Sequence, residues 1–282
     1  MRDLASTPGC LSINTATFGH RIDIDAVIDL CQQRGIGGIA PWRRDLAGHD
    51  VARVAARLRA ANLKVTGYCR STYFTHATDA GRRAALEDNL RAVNDAAELG
   101  AACFVLVVGG LPEGSRDLAG ARDQVKAGVA ALLEHAREVG VPLALEPLHP
   151  MTAADRSCLS TLGQALDWCD EIDPRGQGLG VAVDVYHVWW DPALQAQIAR
   201  AMQGHRVLGY HVSDWLVPTT DLVLDRGMMG DGVIDLKRIR GWLEEAGYDG
   251  AVEVEIFSAA NWWQRPANEV LDTCIERLRT VC

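Results

Sequence analysis

The sequence predicts an α/β protein, a single (β/α)8 barrel spanning residues 1–282. Short apolar runs alternate with amphipathic helical stretches about eight times along the chain. The helical stretches repeatedly end at Gly or Asn just before the next apolar run. No Pro/Ser-rich linker divides the chain, and an open doubly wound sheet usually holds fewer strands than this rhythm supplies.

The elements follow in order. LSINTAT (11–17) leads into the helical DIDAVIDLCQQRG, and GGIAPW (37–42) into HDVARVAARLRAAN. KVTGYC (64–69) precedes the long DAGRRAALEDNLRAVNDAAELG, and CFVLVV (103–108) precedes DLAGARDQVKAGVAALLEHAREVG. PLALEP (142–147) is followed by STLGQALDWCDEI, GVAVDV (180–185) by DPALQAQIARAMQG, RVLGYHV (206–212) by DLKRIRGWLEEAG, and AVEVEI (251–256) by PANEVLDTCIERLRTV. Gly35, Asn62, Gly100, Gly140, Gly204 and Gly247 fall where helix C-caps belong, since a left-handed cap costs Gly little and Asn less than most residues.

Composition narrows the function classes. With 28 Lys+Arg against 37 Asp+Glu the formal net charge is −9, which argues against nucleic acid or anionic membrane as partner. Hydrophobic residues at 48% and charged residues at 23% describe an ordered globule rather than a disordered chain. The 8 cysteines are scattered with no C-x-x-C pair, so neither a zinc knuckle nor a redox motif is expected. The N-terminus has no basic segment followed by an apolar one, and no apolar stretch is long enough to span a bilayer. A cytoplasmic protein is expected.

Four successive predicted strands carry a metal-capable side chain near their C-terminal ends: Glu146, Asp184, His211 and Glu255. A barrel gathers those ends at its catalytic mouth. Strand alternation places Ala144 inward with Glu146, Ala182 with Asp184 and Gly209 with His211, while Leu143, Leu145, Val181, Val183, Leu208 and Tyr210 face the helices. Small residues beneath polar ones leave room for a site. Glu253 and Glu255 share a face, so periodicity alone does not say which reaches the mouth; position favours Glu255 and leaves Glu253 deeper, in need of a hydrogen-bonding partner.

Singly, each of the four has an ordinary structural reading, as a loop-capping acid or a hydrogen-bonded core histidine. Together they do not, because carboxylates converging in a barrel mouth repel unless a cation joins them. Three carboxylates and an imidazole form a borderline-hard site suited to Mn²⁺ first, with Mg²⁺, Co²⁺ and Zn²⁺ open.

His187 follows Asp184 by three residues and flanks the same pocket if the chain turns helical there; otherwise it packs beside Trp189 and Trp190. His149 is a loop residue. Trp189, Trp190, Trp262 and Trp263 are core side chains or aromatic walls for a sugar's C–H faces. The polar segment SDWLVPTTDLVLDRGMMGDGVIDL sits where a barrel carries a substrate loop or lid. Within it Arg226 either grips substrate oxygens or pairs with Asp225 or Asp231. The first-half residues Trp42, Tyr68 and Arg70 bear on substrate choice, but the sequence does not position them.

The segments ALEPLHP, VAVDVYHVWW, GYHVSDW, DRGMMGDGVIDL and GYDGAVEVEIF, spanning residues 144–257, resemble the xylose isomerase-like barrel superfamily of sugar (phosphate) isomerases and epimerases, which also includes inosose isomerases and dehydratases and an AP-endonuclease branch. The resemblance implies a single divalent metal on Glu146, Asp184, His211 and Glu255, and so selects Glu255 over Glu253. It implies substrate contacts from His187 and Arg226, and Glu146 and Glu255 as the pair that shuttles a proton through a metal-stabilised enediolate. The expected substrate is a free or oxidised sugar or cyclitol, and a homodimer or homotetramer fits the family.

A metal-dependent dehydratase or lyase on an inosose or 3-keto sugar keeps the same residues. A non-catalytic sugar-binding or partner subunit is a third reading. The DNA-repair branch needs a trinuclear zinc cluster with further histidines, one of them two residues beyond the loop Asp. Here Asp225 is followed by Arg226 and Gly227, and the fourth predicted strand ends in VVGG. No phosphate-gripping glycine loop opens a helix, which tilts towards a non-phosphorylated substrate, although Gly109 and Gly110 keep the alternative.

Overall fold

The computed structural model describes Arg2 and residues 8–282; the rest of the N-terminal stretch read above for a leader lies outside the described residues. The strands are β1 (Leu11–Asn14), β2 (Gly38–Ala40), β3 (Lys64–Val65), β4 (Phe104–Leu106), β5 (Leu143–Leu145), β6 (Leu179–Asp184), β7 (Val207–Val212), β8 (Asp214–Trp215), β9 (Arg226–Gly227) and β10 (Val252–Val254). Eight of them form one parallel sheet in the order β3-β2-β1-β10-β7-β6-β5-β4, while β8 and β9 make a small antiparallel hairpin. The seam between the outer strands closes past the end of β3, where Tyr68 N donates to Cys103 O and Val105 N to Tyr68 O, both at 3.0 Å. This closure is the expected barrel.

The helices are α1 (Ile24–Gln33), α2 (Val51–Ala60), α3 (Asp79–Leu99), α4 (Leu118–Glu138), α5 (Leu162–Ile172), α6 (Val185–Val188), α7 (Leu194–Gln203), α8 (Leu236–Glu245) and α9 (Ala267–Thr280). Local chemistry starts most of them. Asp50 accepts from Ala52 N at 3.0 Å to open α2, and Val54 and Leu58, four residues apart, bury that helix against the barrel. A cap of this kind contributes about 1 kcal/mol. Gly35, Asn62, Gly100, Gly140 and Gly247 adopt the left-handed conformation expected of caps. Gly204 does not: its φ is −82° and the next residue, His205, takes φ +52° instead.

The core has two layers. Leu143, Leu145, Val181, Val183 and Tyr210 pack outward into the large barrel–helix core, while Cys69, Cys103, Val105, Ala144 and Ala182 fill the barrel interior. Leu208 departs from the expected alternation and packs against the interior group. The register explains it. Val181 pairs with Val207 but Ala182 pairs with Gly209, so β7 carries an extra residue there and Leu208 turns inward at the bulge. All eight cysteines are free thiols. Among the described residues no helix is long and apolar enough to cross a membrane.

Candidate metal centre and active site

Strand register brings the four sequence-selected residues together. Asp184 ends β6 directly opposite His211 of β7, and His211 in turn lies opposite Glu253 of β10. Glu146 and Glu255 each stand one residue past their strands and are held by backbone bonds, Glu146 N to Leu106 O and Glu255 N to Val212 O, both 3.1 Å. One ligand atom from each of Glu146, Asp184, His211 and Glu255 falls within 4.8 Å of all the others, and all four side chains are buried. In the sheet order β10-β7-β6-β5 the two glutamates occupy the ends of the arc and the Asp184–His211 pair its middle.

Gly209 makes the geometry sterically possible: a Cβ there would lie 3.1 Å from His211 Nε2. His211 Nδ1 is 3.1 Å from Glu146 Oε1, so this nitrogen faces the cluster, and Nε2 points down to Glu253 Oε1 at 3.6 Å. Glu253 is therefore the deeper carboxylate, outside the cluster and with the partners its burial demands. Asn14 Nδ2 donates to Oε1 at 3.0 Å and Thr66 Oγ1 to Oε2 at 2.8 Å. A buried carboxylate behind a ligating histidine fixes the ring and raises its basicity.

The loop arginine pairs inward, not with Asp225 or Asp231. Arg226 Nη1 donates to Asp184 Oδ2 at 2.9 Å and to Glu255 Oε2 at 3.2 Å, and Nη2 meets His187 Nε2 at 3.0 Å. Its guanidinium lies over Tyr186 at 4.5 Å and Phe257 at 5.0 Å. The chain does turn helical after β6, and α6 carries His187 into the same pocket, where its Nδ1 accepts from His149 N at 3.2 Å. The segment read as a substrate loop or lid is tied down by the β8–β9 hairpin and by one carboxylate. Asp214 accepts from the backbone N–H groups of Trp215, Gly230, Gly232 and Ile234 at 2.8–3.0 Å.

Charge is divided unequally. Burial works against the Asp184 carboxylate, but Arg226, His211 and the Tyr186 N–H together hold its pKa below the usual value. Glu255 goes the other way: burial, then repulsion from Glu146 and Asp184, outweigh Arg226 and push it up to about 8. Burial also pulls His187 well below the ordinary histidine value, helped by Arg226, Arg156 and His149 against Asp184, so its imidazole is neutral. His211 is lifted well above that value because Glu253, Glu146 and Glu255 overcome its burial. A proton retained by Glu255 and a cationic His211 are what this cluster adopts to offset its own negative charge, and a divalent ion fits the same donor set.

The tryptophans divide. Trp190 Nε1 bonds the carbonyl of His187 at 2.8 Å, Trp263 packs against Phe257 with its ring tilted by 56°, and Trp262 bonds Asp231. Trp189 packs on Trp215, whose ring also meets Tyr186 and His149. Sequence reasoning missed several contributors. Asn14 was signalled by Ser12 and Asn14 alternating as polar residues in an otherwise apolar buried strand. The dyad in which His20 Nδ1 meets Asp45 Oδ1 at 2.7 Å left no local pattern, and neither did Phe257, which abuts Trp42 at 5.4 Å.

Comparisons with known proteins agree with this architecture. The chain is 56% identical to protein SMc04130 of Sinorhizobium meliloti 1021, whose crystal structure superposes with a TM-score of 0.93 over 96% of this chain and 98% of that one. It is 22% identical to an inosose isomerase of Bacillus velezensis over 96% of both chains. The structure of IOLI protein with a bound zinc atom matches with a TM-score of 0.81 at 20% identity, covering 96% of this chain and 98% of the other. The apo 3-keto-D-glucoside 4-epimerase YcjR of E. coli matches with a TM-score of 0.76 at 20% identity and the same coverage. Residues 28–281 match the family defined as xylose isomerase-like TIM barrel, the fold already read from the sequence, and the chain belongs to that family.

Proposed function

We propose that the protein is a divalent-metal-dependent isomerase or epimerase acting on a sugar or cyclitol ketone. The observation that carries this is the arc of Glu146, Asp184, His211 and Glu255 with its donor atoms within 4.8 Å. A divalent cation, Mn²⁺ by the hardness of the donors, supplies positive charge beside the substrate oxygen on which negative charge builds as a neighbouring C–H bond breaks. The inosose isomerase relative and the keto-glucoside epimerase neighbour support a polyol ketone as substrate.

Glu146 and Glu255 face the substrate from opposite ends of the arc. One takes the proton from the carbon next to the carbonyl and the other returns a proton, to the neighbouring carbon in isomerisation or to the opposite face in epimerisation. Neutral His187 and cationic Arg226 hold substrate hydroxyl and carbonyl oxygens through their ring and guanidinium nitrogens. Burial of all four arc residues excludes the bulk water that would quench the carbanion.

A panel of ketoses and inososes incubated in deuterated buffer with Mn²⁺ tests the reading. Metal-dependent deuterium uptake at the carbon beside the carbonyl, with no change in mass other than the gain of the label, is expected. Absence of exchange on every compound overturns it, and loss of water replaces it with elimination.

A further inference from the structure

The ends of β2 and β3 open a cleft of about 760 Å³, lined by Trp42, Arg43, Arg44, Arg70, Tyr73 and His76 among others and by no Asp or Glu. Arg43 is committed, its Nη2 donating to Asp88 Oδ2 at 2.8 Å. Arg70 is not. Its Nη1 donates to the carbonyl of Ser71 at 3.0 Å, its Nε is buried without a partner, and among the described residues it forms no ion pair. Tyr73 and Trp42 clamp its guanidinium, with ring centroids at 4.6 and 5.9 Å.

Burial and the like charge of Arg156 draw the Arg70 pKa down against the opposing pull of Tyr73 and Glu146. A half-buried cation without a counter-ion loses part of its hydration, and stacking on aromatic faces returns only part of that. Trp42 Nε1, in the same wall, is a second buried donor without an acceptor. Trp42 also links the cleft to the metal centre, since its ring abuts Phe257 at 5.4 Å and Phe257 carries the Arg226 guanidinium at 5.0 Å. A planar fork of N–H donors held rigid beside an indole N–H matches the oxygens of a carboxylate or phosphate.

We propose that this cleft is the anion-binding arm of the active site, and that the substrate carries a carboxylate or phosphate, received by Arg70 and Trp42, at the end away from the carbon that exchanges its proton. The substrate clause rests on the sugar or cyclitol chemistry proposed above; anion binding does not. It is therefore measured without turnover, by calorimetric titration of methyl glucuronoside, methyl glucoside 6-phosphate and neutral methyl glucoside into the Mn²⁺-loaded protein.

At least one acidic glycoside is expected to bind about tenfold or more tightly than the neutral one, with the advantage shrinking as NaCl is added and vanishing in Arg70→Gln. Preference for the glucuronoside assigns a carboxylate, and preference for the phosphate ester a phosphate. Equal binding of all three overturns the proposal in the wild-type protein alone, whether or not the variant folds. An acid advantage that Arg70→Gln leaves intact overturns it too. Arg70-dependent acid binding without deuterium exchange on any sugar keeps the arm and removes the isomerase reading; exchange without acid preference does the reverse.

Discussion

Arg226 Nη1 lies 2.9 Å from Asp184 Oδ2, although 42 residues separate the two in sequence. The same nitrogen reaches Glu255 Oε2 at 3.2 Å while Nη2 meets His187 Nε2 at 3.0 Å, so the guanidinium fork joins two of the cluster's three carboxylates to the neighbouring histidine. Lysine offers one point charge in place of this fork. Arg226→Lys is therefore expected to lower kcat/KM for the exchange reaction about 100-fold while the protein still binds one equivalent of Mn²⁺. Steady-state kinetics beside metal analysis check both halves; unchanged kinetics would make the arginine purely structural.

Glu255 sets a pH dependence for metal binding. With its pKa pushed up to about 8 by burial and like-charged neighbours, the carboxyl is mostly protonated at pH 7, and a cation must displace that proton. Mn²⁺ affinity is expected to rise with pH between 6 and 9, because Glu255 and the cationic His211 must each give up a proton before they can ligate. Glu255→Gln removes one of these two protons and makes the profile shallower, the His211 proton still having to leave. Titrations between pH 6 and 9 provide the measurement.

Glu253 Oε1 lies 3.6 Å behind His211 Nε2. Glu253→Gln keeps the shape but replaces a charged acceptor behind the ring, and Mn²⁺ affinity is expected to fall about 10- to 100-fold with little change in far-ultraviolet circular dichroism. Competition with a chelator reads the affinity.

Asp214 organises the loop that carries Arg226, because its carboxylate collects four backbone N–H groups from Trp215, Gly230, Gly232 and Ile234. Asp214→Ala leaves those donors without acceptors, and urea unfolding should show a loss of about 2–4 kcal/mol. Activity should fall further than stability explains, since β9 positions the arginine through its pairing with β8.

Asp173 holds the opposite end of β6. It accepts from Arg137 Nη2 at 2.6 Å, Leu179 N at 2.9 Å and Arg206 Nη1 at 3.3 Å. Burial opposes its charge, yet the Gln177 and Leu179 N–H groups and both arginines bring its pKa below the ordinary aspartate value. A depressed carboxylate contributes stability above the unfolded pKa and loses it as pH falls through the folded one. Asp173→Asn is expected to cost about 3 kcal/mol at pH 7, a gap that closes only as the pH drops below about 3.8. Urea melts of both proteins at pH 7, 5 and 3 test the sign.

The linear sequence by itself determined the eight barrel strands and the helices between them, though not the β8–β9 hairpin within the loop segment, and which side of each strand Glu146, Ala144, Asp184, Ala182, His211 and Gly209 take. Those properties follow from a period of two or 3.6 residues and need no distant partner. Tertiary structure alone decided the rest. The bulge between β6 and β7 turned Leu208 inward against its own alternation. Glu253 found its partners Asn14 and Thr66 at separations of 239 and 187 residues. Arg226 chose Asp184 and Glu255 over its near neighbours, and Arg70 was set between Trp42 and Tyr73 beside an acid-free cleft. Barrel closure creates these contacts by joining strand ends far apart in the chain, and strand periodicity holds no record of which distant side chain arrives opposite.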